Sequence, residues 1–282
     1  MRILIATDGT THSQLAVQMG IPLFQLTQAD ITLLTVVSQQ KQWANGQSIL
    51  FAAEKEWIRS VNGTTIPHPH LLLRVGQPAS EIIAEARSGQ YNLIVIGQHP
   101  DSSILNRWRG SVFNQLMTLA SSPLLIVKGS IRPLQKILLC ESGSPPTPLL
   151  SRFMLRLPNL LHKDSTINVL HVMSQMGAGP GTAAPTAPGW QLHALANDLI
   201  SAHTLEGEFL EKDIQTLQQS HITTAPIVRH GFVVDEVLAE AEAGDYGLLV
   251  IGAHQPEGWL KLLADQAQQI VDRAACPVLI IN

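Results

Sequence analysis

The sequence predicts an α/β fold made of two copies of one doubly wound, parallel-sheet domain. Three observations lead to this prediction: short apolar runs alternate with amphipathic segments, the runs are unbroken Val/Ile/Leu stretches, and the whole pattern occurs twice. Strands that helices cover on both faces have this unbroken composition. Alternation of strands and helices is typical of a parallel sheet with helices on its faces.

The repeat is long and has no gap at its centre. Residues 72–97 align with 227–252 at a constant offset, and 12 of the 26 aligned positions are identical. Shorter matching segments are 3–5 with 137–139, 31–39 with 167–175, and 122–127 with 276–281. A repeat of this length indicates duplication of a whole domain. We therefore place one domain at 1–128 and a second at 136–282, with a short linker between them.

In the first half, five apolar runs predict strands and the segments between them predict helices. The predicted strands are 2–6, 31–37, 70–75, 92–96 and 124–127, and the predicted helices lie near 12–28, 48–61, 79–88 and 111–121. Pro78 suits the first turn of the third helix, and Gly89 suits the position just after it. Glu81 and Glu85, repeated as Glu236 and Glu240, are interpreted as a solvated helix face that common ancestry preserved.

The second half departs from the first after its second strand. Residues 176–190 are rich in Gly, Ala and Pro, which predicts a loop. Residues 191–219 then predict one long amphipathic helix, with Leu195, Leu199 and Leu217 near one face.

The last strand of each half is wholly apolar. Because an exposed apolar edge strand invites aggregation, we expect 124–127 and 278–281 to pair with each other. The two five-stranded sheets then form an intramolecular pseudo-dimer, with association into a homodimer as a further option.

Charge and hydropathy exclude several classes of function. The formal net charge is −4 and the pI is about 6.2, so the chain lacks the basic field that holds a nucleic acid backbone. No apolar run approaches the length of a transmembrane helix, and the N-terminal apolar stretch is too short for a signal peptide. We expect a cytoplasmic protein with no membrane or nucleic acid partner.

The candidate site follows the fourth strand, because ligands of open α/β sheets bind beyond the carboxyl ends of the strands. Gly97, Gln98 and His99 stand there, and Gly110 and Ser111 follow at the start of a predicted helix. Glycines let a phosphate approach backbone N–H groups, and a helix N-terminus attracts an anion.

These residues resemble the universal stress protein family, whose nucleotide signature after the fourth strand is G-x2-G-x9-G-[S/T]. Gly97, Gly110 and Ser111 stand at the family spacing, and His99 is similar to the frequent G-x-H-G form. Pro100 replaces the second glycine and removes one N–H donor. In the first half, the turn at residues 7–10, the end of the second strand and the last strand also resemble the family. The resemblance covers essentially the whole chain, twice.

The resemblance implies a Rossmann-like fold of the adenine nucleotide alpha hydrolase type and a bound adenine nucleotide. ATP is the first expectation, with ADP and AMP as alternatives and Mg²⁺ accompanying ATP. Asp8 and Val36 are implied to face adenine and ribose. The implied phosphate cradle is Gly97, Gly110, Ser111 and Val112, and Thr7, His99 and Arg109 complete the nucleotide-binding set.

The second half lacks this signature. Gly252 is followed by Ala253 and His254, and Asp265 stands where the first half has Ser111. An Asp at a helix N-terminus repels a phosphate, so we expect this half to be a degenerate structural partner.

Three hypotheses for function remain at this point. The first is a stress-response regulator that binds an adenine nucleotide in the first half and acts with unknown protein partners, without catalysis beyond slow incidental ATP hydrolysis. The second is a nucleotide-free interaction scaffold of the same fold. The third is an adenylyl-transferring enzyme, against which the loop after the first strand argues, since it lacks an SGGxDS-like sequence.

Overall fold

The computed structural model confirms the predicted α/β fold with two repeated halves. It describes residues 1–60, 66–98, 109–141, 148–174, 193–252 and 261–281, and leaves out the side chains of residues 109–111, 114, 174 and 261–265. Among the described residues, no helix combines the length and the hydropathy needed to cross a bilayer.

The first half alternates strands and helices as predicted. Its elements are β1 (Arg2–Ala6), α1 (Thr11–Thr27), β2 (Asp30–Val37), α2 (Trp43–Ser60), β3 (His70–Val75), α3 (Pro78–Ser88), β4 (Leu93–Gly97), α4 (Arg109–Leu119) and β5 (Leu124–Val127). A 3₁₀ turn at Gln40–Gln42 runs into α2, which begins five residues earlier than the sequence predicted.

The second half repeats this order with a divided helix. Its elements are β6 (Lys136–Cys140), α5 (Leu149–Arg156), β7 (Thr166–Ser174), α6 (Ala196–Ser201), α7 (Leu205–Gln219), β8 (Thr223–Gly231), α8 (Val233–Ala243), β9 (Leu248–Gly252), α9 (Lys261–Arg273) and β10 (Val278–Ile281).

The two halves share one continuous sheet. Across the described residues the strand order is β3-β2-β1-β4-β5-β10-β9-β6-β7-β8, and every pair is parallel except β5 with β10. Leu125 lies opposite Leu279 in that antiparallel pair. The expected intramolecular pseudo-dimer is therefore present, and each last strand covers the edge of the other.

Side chains also join the halves beside this central pair of strands. Lys128, at the end of β5, is 3% exposed, and its ammonium donates to the carbonyl oxygens of Val271 (2.6 Å) and Asp272 (2.8 Å). These carbonyls end helix α9, where a cation is favourable. Gln98 Nε2 donates to the Asp272 carboxylate at 2.9 Å.

Two apolar clusters cover the two faces of the sheet, and each spans both halves. The first contains Ile5, Leu139 and Leu279 together with buried residues of α1, α2, α5 and α7. The second contains Leu4, Leu138 and residues of α3, α4, α8 and α9. Alternate residues of each strand thus point to opposite faces, and the doubly wound arrangement places helices over both.

The prediction of one helix over 191–219 was wrong. The structure has α6 and α7, separated at Ala202–Thr204, and His203 adopts a left-handed backbone with φ of 50°. Thr204 caps α7 by accepting the Gly207 N–H at 3.0 Å, so a new helix starts there. Leu195, expected on the buried face, precedes α6 and is 68% exposed.

Gly89 ends α3 in a way that the sequence did not predict. Its φ is −85°, and the left-handed position belongs to Gln90, with φ of 51°. A Cβ at Gly89 would lie 2.2 Å from the Tyr91 ring. Space for the tyrosine, rather than a left-handed backbone, requires glycine at this position.

The interpretation of the repeated glutamates as a solvated face was also wrong. Glu85 is 8% exposed, forms an ion pair with Arg74, and accepts the Tyr91 hydroxyl at 3.2 Å. Arg74 also contacts Glu81 at 3.2 Å. The second half repeats this network with Arg229, Glu236, Glu240 and Tyr246. Because Glu85 is buried, its carboxylate is stable there only with these ion-pair and hydrogen-bond partners.

Candidate functional site

The candidate site lies where the strand order of the first half reverses. The chain runs from β1 outward through β2 and β3, then returns to β4 on the other side of β1. Ligands of this architecture usually bind in a crevice beyond the carboxyl ends of the strands at such a reversal. Asp8 follows β1, and Gly97 ends β4.

Local hydrogen bonds hold the turn after β1 in one shape. Asp8 Oδ1 accepts the Thr10 N–H at 3.0 Å and the Thr10 hydroxyl at 2.6 Å. Gly9 has φ of 79°, a conformation that favours glycine. Thr10 in turn caps α1 by accepting the Ser13 N–H at 3.4 Å. The exposed Asp8 side chain is thus held in one position just beyond the carboxyl end of β1.

Thr7 supports this turn from beneath. It is 4% exposed, and its hydroxyl lies 3.0 Å from the Ser13 hydroxyl. The Thr35 hydroxyl donates to the Thr7 carbonyl oxygen at 2.9 Å. The Thr7 side chain therefore positions the loop, and its hydroxyl is used within the protein.

Gly97 brings the end of β4 against the first turn of α1. A Cβ at Gly97 would lie 1.9 Å from the His12 carbonyl oxygen and 2.9 Å from the Ser13 nitrogen. Only a glycine lets these two backbones approach so closely. The first glycine of the signature thus has a packing role in addition to any contact with a ligand.

The remaining predicted site residues divide into two groups. Val36 and Val112 are half-buried and pack against the second apolar cluster, on the sheet face opposite Ser13. Helix α4 begins at Arg109, so Arg109, Gly110 and Ser111 form its first turn, while their side chains are outside the described residues. His99 and Pro100 also lie outside them.

The second half fills the equivalent place with charged side chains. Glu141 stands at the position of Thr7, is 6% exposed, and accepts the Leu149 N–H at 2.7 Å. Arg152 Nη1 donates to the Ile281 carbonyl oxygen at 3.2 Å. Arg152 Nη2 would lie 2.9 Å from a Cβ at Gly252, the counterpart of Gly97. Burial lowers the pKa of Arg152, and the nearby Glu141 carboxylate opposes that shift.

Sequence reasoning missed two further ionisable groups in this half, one half-buried and one buried. His171 stands at the position of Thr35, and its Nδ1 lies 3.2 Å from the Glu141 carbonyl oxygen. Asp213, on α7, is 4% exposed. The signal was present for His171 and Glu141, because aligning 31–39 with 167–175 and 3–5 with 137–139 pairs each with a threonine. Burial lowers the pKa of His171 and raises that of Asp213 to about 7.

The duplicated architecture and the glycine contact agree with a family relationship that covers both halves. A model described as the universal stress protein family matches residues 1–128 and, a second time, residues 133–282. The chain belongs to the universal stress protein family.

Relatives of known sequence or structure agree with this membership. Universal stress protein G of Shigella flexneri is 32% identical over 128 residues, which are 44% of this chain and 82% of that protein. A universal stress protein from Archaeoglobus fulgidus has a TM-score of 0.70 at 14% identity, over 100% of this chain and 96% of that one. At that identity the likeness shows the tandem universal stress protein fold alone.

A second solved structure is a universal stress protein family protein of Arabidopsis thaliana with AMP bound. It is 16% identical, with a TM-score of 0.35, over 52% of this chain and 90% of that one. The bound AMP is a property of the Arabidopsis protein.

Proposed function

We propose that this universal stress protein is a stress-response regulator that binds an adenine nucleotide in its first half. ATP, with Mg²⁺, is the first candidate, and ADP and AMP are the alternatives. The second domain, 136–282, acts as a degenerate structural partner of the first, 1–128. The protein works in the cytoplasm by changing its shape or its protein partners with occupancy, and not by catalysis.

The observation that carries this proposal is the pair of residues at the carboxyl ends of β1 and β4, where the strand order reverses. The exposed Asp8 stands there on a fixed turn, beside the side-chain-free backbone of Gly97 at the end of β4. Helix α4 begins at Arg109, and the N–H groups and dipole of a helix N-terminus favour an anion. A carboxylate for hydroxyl or amino groups and a helix N-terminus for phosphate together suit a nucleotide.

The charged groups of the second half support a single nucleotide per chain. Glu141 places a buried carboxylate where the first half has the neutral Thr7. Arg152 occupies the space beside Gly252, and a ligand needs that space in order to contact the Gly252 backbone. A polyphosphate entering this half has to displace Arg152 and approach Glu141, which is unfavourable for an anion.

A nucleotide-free interaction scaffold is the second candidate. Pro100, in place of the second signature glycine, favours it, because proline offers no N–H to a phosphate. Under this alternative Gly97 serves only the packing of β4 against α1, and the protein acts only through protein partners.

Calorimetric titration with ATP, ADP and AMP, with and without Mg²⁺, tests the proposal. Asp8→Ala removes both hydrogen bonds that fix the turn, and we expect at least a tenfold loss of affinity, about 1.4 kcal/mol. Asp8→Asn keeps an Oδ1 acceptor for the turn, so it separates turn geometry from the carboxylate charge. Arg152→Ala, in the second half, is expected to bind as the wild type does. Absence of binding for all three nucleotides would favour the scaffold.

A further inference from the structure

The two halves differ in charge on the sheet face that α5 and α7 cover. Where the first half has Thr7 and Thr35, the second has Glu141 and His171. The geometry is otherwise kept: the Thr35 hydroxyl donates to the Thr7 carbonyl oxygen at 2.9 Å, and His171 Nδ1 lies 3.2 Å from the Glu141 carbonyl oxygen. Neutral side chains have thus been exchanged for ionisable ones within a conserved backbone arrangement.

Helix α7 adds a third exchange of the same kind. Helices α2 and α7 each bury four residues, and in both helices three of the four stand at positions i, i+3 and i+7 on the side of the first apolar cluster. These are Leu50, Ala53 and Trp57 in α2, and Leu210, Asp213 and Leu217 in α7. Asp213 therefore takes the place of Ala53, on the side of the helix that faces the sheet.

Asp213 has little that favours its ionised form. It is 4% exposed, and its Oδ2 has no hydrogen-bond partner among the described residues. The end of β6 presents the Glu141 carboxylate to it, and Lys212 is the charged neighbour on its own helix. A buried carboxyl without donors is far less costly when it carries a proton.

Among the residues that the structure describes, the other elements packed against α7 bring no compensating cation to Asp213. From β7 comes His171, whose own charged form burial disfavours, and from the end of β8 comes His230, 2.9 Å from the Ala194 carbonyl oxygen. From α6 comes Asp198, which is exposed and accepts the Leu195 N–H at 2.8 Å.

We propose that the second half is a proton-responsive module in which the packing of α7 on the sheet depends on a protonated Asp213. Loss of that proton leaves a bare carboxylate beside Glu141 in an apolar layer, and α7 loosens. This inference concerns protons alone and is independent of nucleotide binding in the first half.

The direction of the pH dependence follows from the shift of the Asp213 pKa. With α7 packed, the pKa is raised to about 7 from an ordinary value of 3.8. The protonated Asp213 therefore stabilises the packing of α7 fully when the pH is below the ordinary carboxyl pKa of 3.8. This stabilisation is lost as the pH rises from about 4 to about 7. Above about 7 both states are ionised, and the packing equilibrium no longer depends on this group.

Hydrogen exchange of the full-length protein, read on peptides from α7, tests the proposal. Wild type and Asp213→Asn are compared at each pH between about 4.5 and 8, so that the intrinsic pH dependence of exchange cancels in the ratio. We expect the wild-type exchange rate, relative to the variant, to rise by up to about tenfold per pH unit until about pH 7 and then to level off. Peptides from α2 serve as an internal reference and should show a constant ratio.

Two further variants sharpen the test. Asp213→Ala, which installs the residue of the first half, keeps the test available if the amide packs poorly. Glu208→Gln neutralises an exposed carboxylate on the same helix and should follow the wild type at every pH. A wild-type-to-variant ratio that stays constant across the range for both Asp213 substitutions overturns the proposal.

Discussion

The backbone of Gly97 lies directly against the carbonyl oxygen of His12, where a Cβ would come within 1.9 Å of that oxygen. Gly97→Ala should therefore push the end of β4 away from the first turn of α1. We expect a loss of about 1 to 3 kcal/mol in the free energy of unfolding, measured by urea denaturation, together with weaker nucleotide binding.

Gly252 provides the matched control for this prediction. A Cβ at Gly252 would meet Arg152 Nη2 at 2.9 Å, and the end of a flexible side chain can move aside. Gly252→Ala should lower the free energy of unfolding by less than about 1 kcal/mol. Equal destabilisation by the two substitutions would contradict the packing role assigned to Gly97.

The pairing of β5 with β10 predicts that the two halves unfold together. Leu279 is fully buried in an apolar cluster that spans both halves, so Leu279→Ala should cost about 2 to 5 kcal/mol. Hydrogen exchange should show loss of protection in α1 as well as in α8. Leu155→Ala, at a side chain 80% exposed, is the control and should change stability by less than about 0.5 kcal/mol. Loss of protection confined to the second half would argue against a shared unit.

The repeated ion-pair network predicts an unequal response to two arginine substitutions. Arg74→Ala leaves the buried Glu85 without its cation, so we expect a loss of about 2 kcal/mol by chemical denaturation. Arg59 is 78% exposed and lies 3.8 Å from Glu56. Arg59→Ala should therefore lower the free energy of unfolding by less than about 0.5 kcal/mol. Similar losses for both would mean that burial of Glu85 contributes nothing to the pairing.

His171 predicts a pH dependence of the opposite direction to that of Asp213. Burial lowers its pKa below the ordinary 6.5, so the imidazole takes up a proton less readily in the folded protein than in the unfolded chain. The wild type should lose stability relative to His171→Thr as the pH falls below about 6.5, by up to about 1.4 kcal/mol per pH unit. Threonine is the residue of the first half and can donate to the same carbonyl. Urea denaturation at several pH values between about 5 and 7 measures the difference in free energy of unfolding between the two proteins. A difference that does not change with pH would refute the prediction.

Much of the fold could be predicted from the sequence because the physical signals are local. Unbroken Val/Ile/Leu runs indicate strands buried on both faces. Residues 72–97 align with 227–252, so the same pattern of strands and helices is predicted twice in one chain. The apolar last strands also predicted the β5–β10 pairing, since an exposed edge of that kind is unfavourable. Each of these features depends on residue type and spacing alone.

One error came from a local signal, a helix cap, and the other from a tertiary contact. Leu195 and Leu199 fit one helical face, but Thr204 caps a new helix and His203 turns the chain before it. Glu85 has helical spacing to Glu81, and only the neighbouring Arg74 and Tyr91 reveal that it is buried.

The sequence also predicts where the candidate residues stand in the fold. The positions of Asp8 after β1 and of Gly97 at the end of β4 follow from strand order, which the alternating pattern indicates. Their role in binding a nucleotide stays a prediction. The burial of Thr7 and the filling of the second half by Arg152 depend on how α1 and α5 approach the sheet. The sequence gives no signal for how these helices pack on the sheet, apart from differences at single aligned positions of the two halves.

The most direct test of the central claim is to denature the purified protein and identify any released nucleotide by chromatography. We predict a single adenine nucleotide per chain for the wild type. We also predict its loss in Ser111→Asp, which places at the start of α4 the carboxylate that the second half has at Asp265, and its retention in Ser111→Ala and Arg152→Ala. No nucleotide in the wild type, followed by no binding when ATP is added back, would contradict the account and identify the protein as a scaffold.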